Sequence, residues 1–270
     1  GVDLDRTIQA TINLERGGRP LSEVRLLFER VAAQLRGHSG VDGVALAERA
    51  PYMSGRAASP WREGRALADL WPPGQEVAYV TAVGPSFFAT VGAPSLRGRD
   101  FTDDDGAGRA KVAVINAPLA RRLWPNEDAL GKCMWMDQSR TCTIVIGVLG
   151  GVWKFHALER DKILLYVPLA QSANVAPGSL LVRVSGNAAG SVGQVRSAIH
   201  AIEPTLTASV VFARDIVDPE FRPWRISAAM FSALAAVSLI IAAIGIYGVV
   251  AFTATARLPE MAIRLALGAR

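Results

Sequence analysis

The chain has 270 residues, half of them hydrophobic, and 29 basic against 24 acidic side chains leave a net charge of +5. That length suits one or two domains with a sizeable core, and the apolar content excludes disorder. Two cysteines exclude a disulfide-dense miniature scaffold and a cysteine-rich zinc module, and three dispersed histidines (His38, His156, His200) leave little for a histidine-rich metal site.

Residues 8–14 (IQATINL) carry a loose strand alternation. Residues 21–36 follow with Val24, Leu27, Phe28, Val31 and Leu35 at helical spacing, and a short strand is expected at 44–47. These three form a first β-α-β unit. Residues 49–76, rich in Pro, Gly, Arg and Ala, read as a long loop. A short helix near 86–91, a strand at 112–115, a helix at 118–123 and strands near 142–148 and 163–167 make up a region of different texture, about 85–178. Its Asp103-Asp104-Asp105 run lacks the spaced oxygen ligands of a calcium loop and reads as a solvated turn. A second β-α-β unit comes late. It has a strand at 180–184, a helix at 188–202 with Val192, Val195, Ile199 and Ile202 on one face, and a returning strand at 208–212. Both helices bear one apolar stripe, so both are expected to cover one face of a shared sheet, with the middle lobe inserted and lying apart. The fold class is α+β, a two-lobed domain.

Within the middle lobe the segment CMWMDQSRTC reads as a hairpin. If Asp137-Gln138 is a two-residue turn, Trp135 faces Arg140 and Cys133 faces Cys142 at a non-hydrogen-bonded pair, within disulfide reach. The competing reading is two free thiols in a cytosolic protein. A disulfide favours an oxidising compartment and so places the domain outside the cytoplasm.

Residues 227–255 contain no charge and would span roughly 44 Å as a helix, more than the ~30 Å hydrocarbon core. A transmembrane helix is therefore expected at 225–256, with Trp224 and its flanking arginines as an interfacial anchor and Arg257 as the stop. Ala228, Ala235, Ser238, Ala242 and Gly245 fall on one face, which either admits a second helix closely or reflects the abundance of alanine. Charge on the two flanks is balanced, so the positive-inside rule does not orient the span. Pro259 cannot donate to residue 255, so the helix is expected to kink or break there. A short separate helix should then run from 259 to about 267, with Gly268 as its stop. Residues 1–20 hold no signal-peptide run, so a segment upstream would have to supply targeting.

No residues point to catalysis. GxxxxGK[ST], GxSxG and HExxH are all absent, and Gly131-Lys132-Cys133 lacks the hydroxyl of a phosphate loop. Basic residues are not interleaved with aromatics as in a nucleic-acid interface. The expectation is of no enzyme, no cofactor, no metal and no nucleic acid.

Several stretches carry a family resemblance: GVD at 1–3, LRGRDFTDDD at 96–105, AVINAPLARRLWPNEDALGK at 113–132, YVPLAQ at 166–171 and GIYGVVAFTATARLPEMAIRLALGAR at 245–270. In order and spacing they resemble the MacB-like periplasmic core domain and the FtsX-like motif of ABC-type permeases, most of all the duplicated permeases of acidobacterial type. The resemblance implies an inner-membrane efflux or mechanotransmission subunit with residues 1–224 periplasmic and the C-terminus cytoplasmic. It implies a cytoplasmic ABC ATPase as partner, beside other permease helices or a second permease copy, and a candidate periplasmic partner. The coupling segment falls at 257–270, with Glu260, Met261, Ile263, Arg264, Leu265 and Leu267 as contacts; an ordinary interfacial helix is the plainer reading of those residues. Family members carry further helices on either side, so the chain reads as a fragment or a truncated product. The alternative function is a membrane-tethered extracytoplasmic interaction domain with no ATPase.

Overall fold

Near-continuous apolar strands let one sheet bury both its faces, and the computed structural model builds the first of two units, Gly1–Asp218, around such a sheet. The second unit is Pro219–Arg270. The structure describes all residues except 1–2, 14–18, 50–54, 73–76, 94–95, 137–140, 151–161, 186–189, 205–206, 267 and 269–270, and the side chains of 13, 217–222, 260 and 265–266. In chain order the elements are β1 (Thr7–Asn13), α1 (Leu21–Arg36), β2 (Val41–Ala47), β3 (Arg56–Ala58), α2 (Leu67–Leu70), β4 (Ala78–Val83), α3 (Phe87–Thr90) and β5 (Leu96–Gly98). Then come β6 (Lys111–Asn116), α4 (Ala117–Leu123), β7 (Cys133–Met134), β8 (Thr143–Leu149), β9 (Ile163–Pro168), β10 (Ser179–Val184), α5 (Ser191–Ile202), β11 (Thr207–Phe212) and α6 (Ala213–Ala266). The expected loop at 49–76 is interrupted by β3 and α2.

The strand order is β11-β1-β10-β2-β4-β9-β6-β8-β5, with β3 on β4 and β7 on β8. The two β-α-β units therefore interleave. β10 lies between β1 and β2, and β1 lies between β10 and β11, every pair antiparallel. This is the split β-α-β arrangement of ferredoxin-like sheets. As expected, α1 and α5 pack side by side on one face. Val24, Phe28, Val31 and Leu35 of α1 and Val195 and Ile199 of α5 share a cluster with Ile8, Ala10, Val44, Leu180 and Val182.

The rest of the sheet pairs β4 with β9 and β6 with β8 in parallel. It takes in β3 and β4, which precede residue 85. It joins the first half through a short seam, one register pair at Ala47 and Val83. Glu48 reinforces the seam: its carboxylate accepts from the Ala82 backbone N–H and the Arg56 guanidinium, both at 3.1 Å. On the face away from α1, Phe87, Phe88, Phe101 and Tyr166 form an aromatic cluster.

Two of the motif stretches explain themselves here. Ser86, at φ 57°, makes no side-chain cap for α3. Asp100 from LRGRDF takes that part, accepting from the N–H groups of Ala89 at 3.1 Å and Phe101 at 2.7 Å. In AVINAPLA, Asn116 is buried at the end of β6. Its Oδ1 accepts from Leu119 N–H at 3.2 Å, capping α4, and from Leu164 N–H at 3.1 Å, while its Nδ2 donates to the Lys162 carbonyl at 2.6 Å. One amide thus ties β6, α4 and β9 together. Asn116→Ala leaves these buried groups unpaired and is expected to cost about 2–4 kcal/mol. Urea unfolding followed by tryptophan fluorescence measures it, and a loss under about 0.5 kcal/mol contradicts this role.

Candidate functional site: the cross-linked hairpin, the acidic turn and the apolar helix

Cys133 and Cys142 are joined, with Cα atoms 5.5 Å apart. The hairpin register differs from the expected one. Cys133 stands opposite Ile144 rather than Cys142, a shift of two residues (142 to 144), and Met134 stands opposite Thr143. Trp135, expected opposite Arg140, bridges instead to Trp61 through a pair of 2.9 Å backbone hydrogen bonds, and the two indoles stack at 5.0 Å. Asp-Gln does not favour the positive φ of a two-residue hairpin turn, which leaves the register to the tryptophan bridge. Residues 137–140 lie outside the described part. An even shift keeps every side chain on its face, so the two cysteines remain within reach on a diagonal.

The Asp103-Asp104-Asp105 turn is only partly solvated. Asp103 and Asp104 are exposed, but Asp105 is buried. Arg99 donates to both its oxygens, at 2.7 and 2.8 Å, and Thr102 N–H adds a third bond. A bidentate guanidinium satisfies this carboxylate, which is why the run does not behave as a spaced cation loop. No group of three or more His, Cys, Asp or Glu able to hold a metal occurs among the described residues. His38 Nδ1 meets the Gln34 carbonyl at 2.8 Å, His200 is exposed on α5, and His156 lies outside the described residues.

The Arg99 hydrogen bonds hold the Asp105 carboxyl below the usual carboxylate range. Burial pushes Asp100 up, against its backbone hydrogen bonds. The two act oppositely on stability. Asp105 contributes stability above its unfolded value near 4, and that contribution is lost as pH falls through its lower folded value. Asp100 favours the folded state at low pH and loses that contribution as pH rises through its raised value. Between pH 6 and pH 3, Asp105→Asn should therefore lose less unfolding free energy than the unaltered chain, and Asp100→Asn should lose more. Parallel pH profiles for all three would contradict this assignment.

In the second unit, residues Pro223–Arg264 of α6 are long and apolar enough to cross a membrane. The hydroxyls of Thr253 and Thr255 donate to the carbonyls of Val249 and Ala251, at 2.7 and 2.9 Å, so they need no water. Ala228, Ala235, Ser238, Ala242 and Gly245 are all exposed on the helix surface. Of the kink or break expected at Pro259, a break does not occur: the helix continues to Ala266, and no separate short helix begins at 259. A proline removes one rung of the ladder, and the rungs on either side carry the helix past it. Gly268, at φ +79°, adopts the conformation of a helix stop. Of the expected coupling residues, Met261 and Ile263 are 56% and 62% exposed, and Arg264 is exposed. The side chains of Glu260, Leu265 and Leu267 lie outside the described residues.

Three polar devices escaped sequence reasoning because their partners are distant. Arg25 of α1 donates to the carbonyls of Ser172, Ala173 and Val175. Gln171 of YVPLAQ mimics a strand rung, its amide meeting Ala110 O at 2.8 Å and Val112 N at 3.3 Å. Asn116 spans three elements. The signal available was a polar residue directly after an apolar strand or helix turn, which marks a cap or clamp but does not name its partner.

A family model described as the MacB-like periplasmic core domain matches residues 5–202. The macrolide export ATP-binding/permease protein MacB of Neisseria meningitidis serogroup A is 27% identical over 203 residues, covering 72% of this chain and 31% of that protein. The pyoverdine export ATP-binding/permease protein PvdT of Pseudomonas putida is 27% identical over 186 residues, covering 66% of this chain and 28% of that protein. The chain therefore spans less than a third of these relatives. Among solved structures, the periplasmic region of MacB from Actinobacillus actinomycetemcomitans superposes with a TM-score of 0.55 at 18% identity, over 78% of this chain and 90% of that one. The extracellular domain of the ABC-type transporter YknZ from Gram-positive bacteria gives 0.51 at 16%, over 76% and 99%. Both share the fold. With the family model matched across nearly all of the interleaved sheet, the chain belongs to the MacB-like periplasmic core domain family, within the FtsX/MacB-like permease superfamily.

Proposed function

We propose that the chain is part of the membrane subunit of an ABC-type export or mechanotransmission system, its extracytoplasmic domain moved by a separate cytoplasmic ATPase. The observation that carries this reading is the order of parts: a MacB-like periplasmic core domain over residues 5–202, then a helix apolar enough to span a bilayer. Relatives named as export ATP-binding/permease proteins support the transport context. This sequence contains no GxxxxGK[ST], so hydrolysis belongs elsewhere in the system.

In this reading residues 1–224 are extracytoplasmic, with the lobe expected at about 85–178, widened by β3 and β4, inserted into a porter-like lobe; 225–256 cross the inner membrane, and 257–270 begin the cytoplasmic coupling segment. The Cys133–Cys142 bond supports an oxidising compartment for the domain. The stripe from Ala228 to Gly245 would receive another permease helix or a second copy. Glu260, Met261, Ile263, Arg264, Leu265 and Leu267 would meet the ATPase. Force would pass along α6 because an intact backbone ladder resists bending and shortening. Catalysis forms no part of this role, and a periplasmic partner would receive the motion.

The test uses the intact permease with its ATPase. Replacing a docked leucine by a carboxylate forfeits ~1.5–3 kcal/mol of apolar burial and adds a charge. Leu265→Asp should lower permease-stimulated ATP hydrolysis by about tenfold or more with membrane insertion preserved. Unchanged stimulation after disrupting both Leu265 and Leu267 contradicts coupling through this segment.

A further inference from the structure

A cavity of about 310 Å³ opens beside the start of β6, at the lower end of the size range of small-molecule sites. Val80 of β4 and Val167 of β9, both part of the larger core cluster, line its depth, and Met136 and Val175 line its sides. Arg56 and Lys111 add positive charge to the lining, beside the polar side of Thr141, Thr143, Gln171 and Asn174.

Two features hold the cavity in shape without a ligand. The segment bearing Val175 is pinned by Arg25, which donates to three of its carbonyls. Met136 follows the strand cross-linked by Cys133 and Cys142. A preformed cavity with an apolar side spares a ligand the cost of ordering its walls. Methionine adds a polarizable, adaptable surface suited to alkyl chains.

Its electrostatics select the head group. Arg56 is paired with Glu48 through Nε at 3.1 Å and remains half exposed. Lys111 Nζ donates to the Gln171 carbonyl at 2.9 Å and has no carboxylate partner among the described residues. An ammonium beside an apolar cavity, with donors to spare, is complementary to an anion and repels a cation.

We infer that this cavity binds a small amphipathic anion, a medium-chain carboxylate whose alkyl chain lies against Val80, Val167, Met136 and Val175 and whose head group meets Lys111. This site does not depend on the export reading.

The test uses the whole chain in nanodiscs of zwitterionic lipid, with methionine methyl groups labelled for NMR. Sodium hexanoate is the probe, and hexanol and hexylamine share its chain but not its charge. Hexanoate should shift the Met136 methyl saturably, hexanol should bind about tenfold more weakly, and hexylamine should bind more weakly still. Met230 and Met261 of the second unit report partition into lipid and should stay in place. Met134, fully buried, reports an intact fold. Lys111→Gln should weaken hexanoate about tenfold and leave hexanol unchanged, with Met134 unmoved. An unresponsive Met136, equal responses to all three head groups, or parallel shifts at Met230 and Met261 would each overturn the site. The head-group comparison on the unaltered chain decides the matter even where the variant fails to fold.

Discussion

Interleaving of the two split β-α-β units is the constraint on which the first unit depends. β1 is hydrogen-bonded on both sides, with Ile8 opposite Val182 on one flank and Phe212 on the other. The first strand therefore cannot be completed until the last two are in place. The same geometry fixes where the helices go. β1 and β2 run parallel with β10 between them, and β10 and β11 run parallel, in the opposite sense, with β1 between them. The two crossovers are related by a half-turn about the sheet normal. Right-handedness, the rule for such crossovers, then sends α1 and α5 to the same face. Two apolar stripes on one face build a core that neither could bury alone. The beginning and end of the unit also become neighbours, with Asp5 paired to Arg214 at 3.2 Å beside the β1–β11 ladder.

Sequence periodicity revealed the elements better than their neighbours. The stripe on α1 marked its helix from 21 to 36, and the short apolar runs at 112–115 and 163–167 marked β6 and β9 to within a residue at each end. These signals are local, because a buried face repeats every two or 3.6 residues whatever lies against it. Strand order left no such trace: nothing near residue 8 announces Val182 and Phe212. β3 was hidden because three residues in a Pro- and Gly-rich stretch carry no period, and they pair only because β4 offers an open edge. Asp105 read as solvated because its partner, Arg99, is recognisable only once the chain turns back at Thr102. The hairpin parity was legible and its register was not, since the turn residues did not specify a turn and Trp61 lies far away in sequence.

The apolar helix obeys the same rule of satisfied backbone groups in another solvent. Were residues 225–256 placed in hydrocarbon, each N–H and C=O there would have to be paired within the segment, and the unbroken helix meets that condition. Pro259 lies beyond the apolar run and was expected to kink or break the helix; it does not break it, because one missing rung leaves the neighbouring rungs to carry the ladder on to Ala266. The candidate coupling residues from Glu260 to Leu265 thus belong to the helix that carries the apolar run. Their candidacy came from resemblance; composition alone shows a helix end with apolar and paired charged residues.

The account depends most directly on topology: the sheet-bearing unit outside the cytoplasm and the end of α6 inside it. Single cysteines at two exposed positions, Glu63→Cys and Arg257→Cys, can be treated in intact cells with a membrane-impermeant maleimide. The account predicts labelling at position 63 in intact cells and at 257 only after the membrane is opened. Labelling at 257 with protection at 63, or labelling at both positions in intact cells, would contradict it.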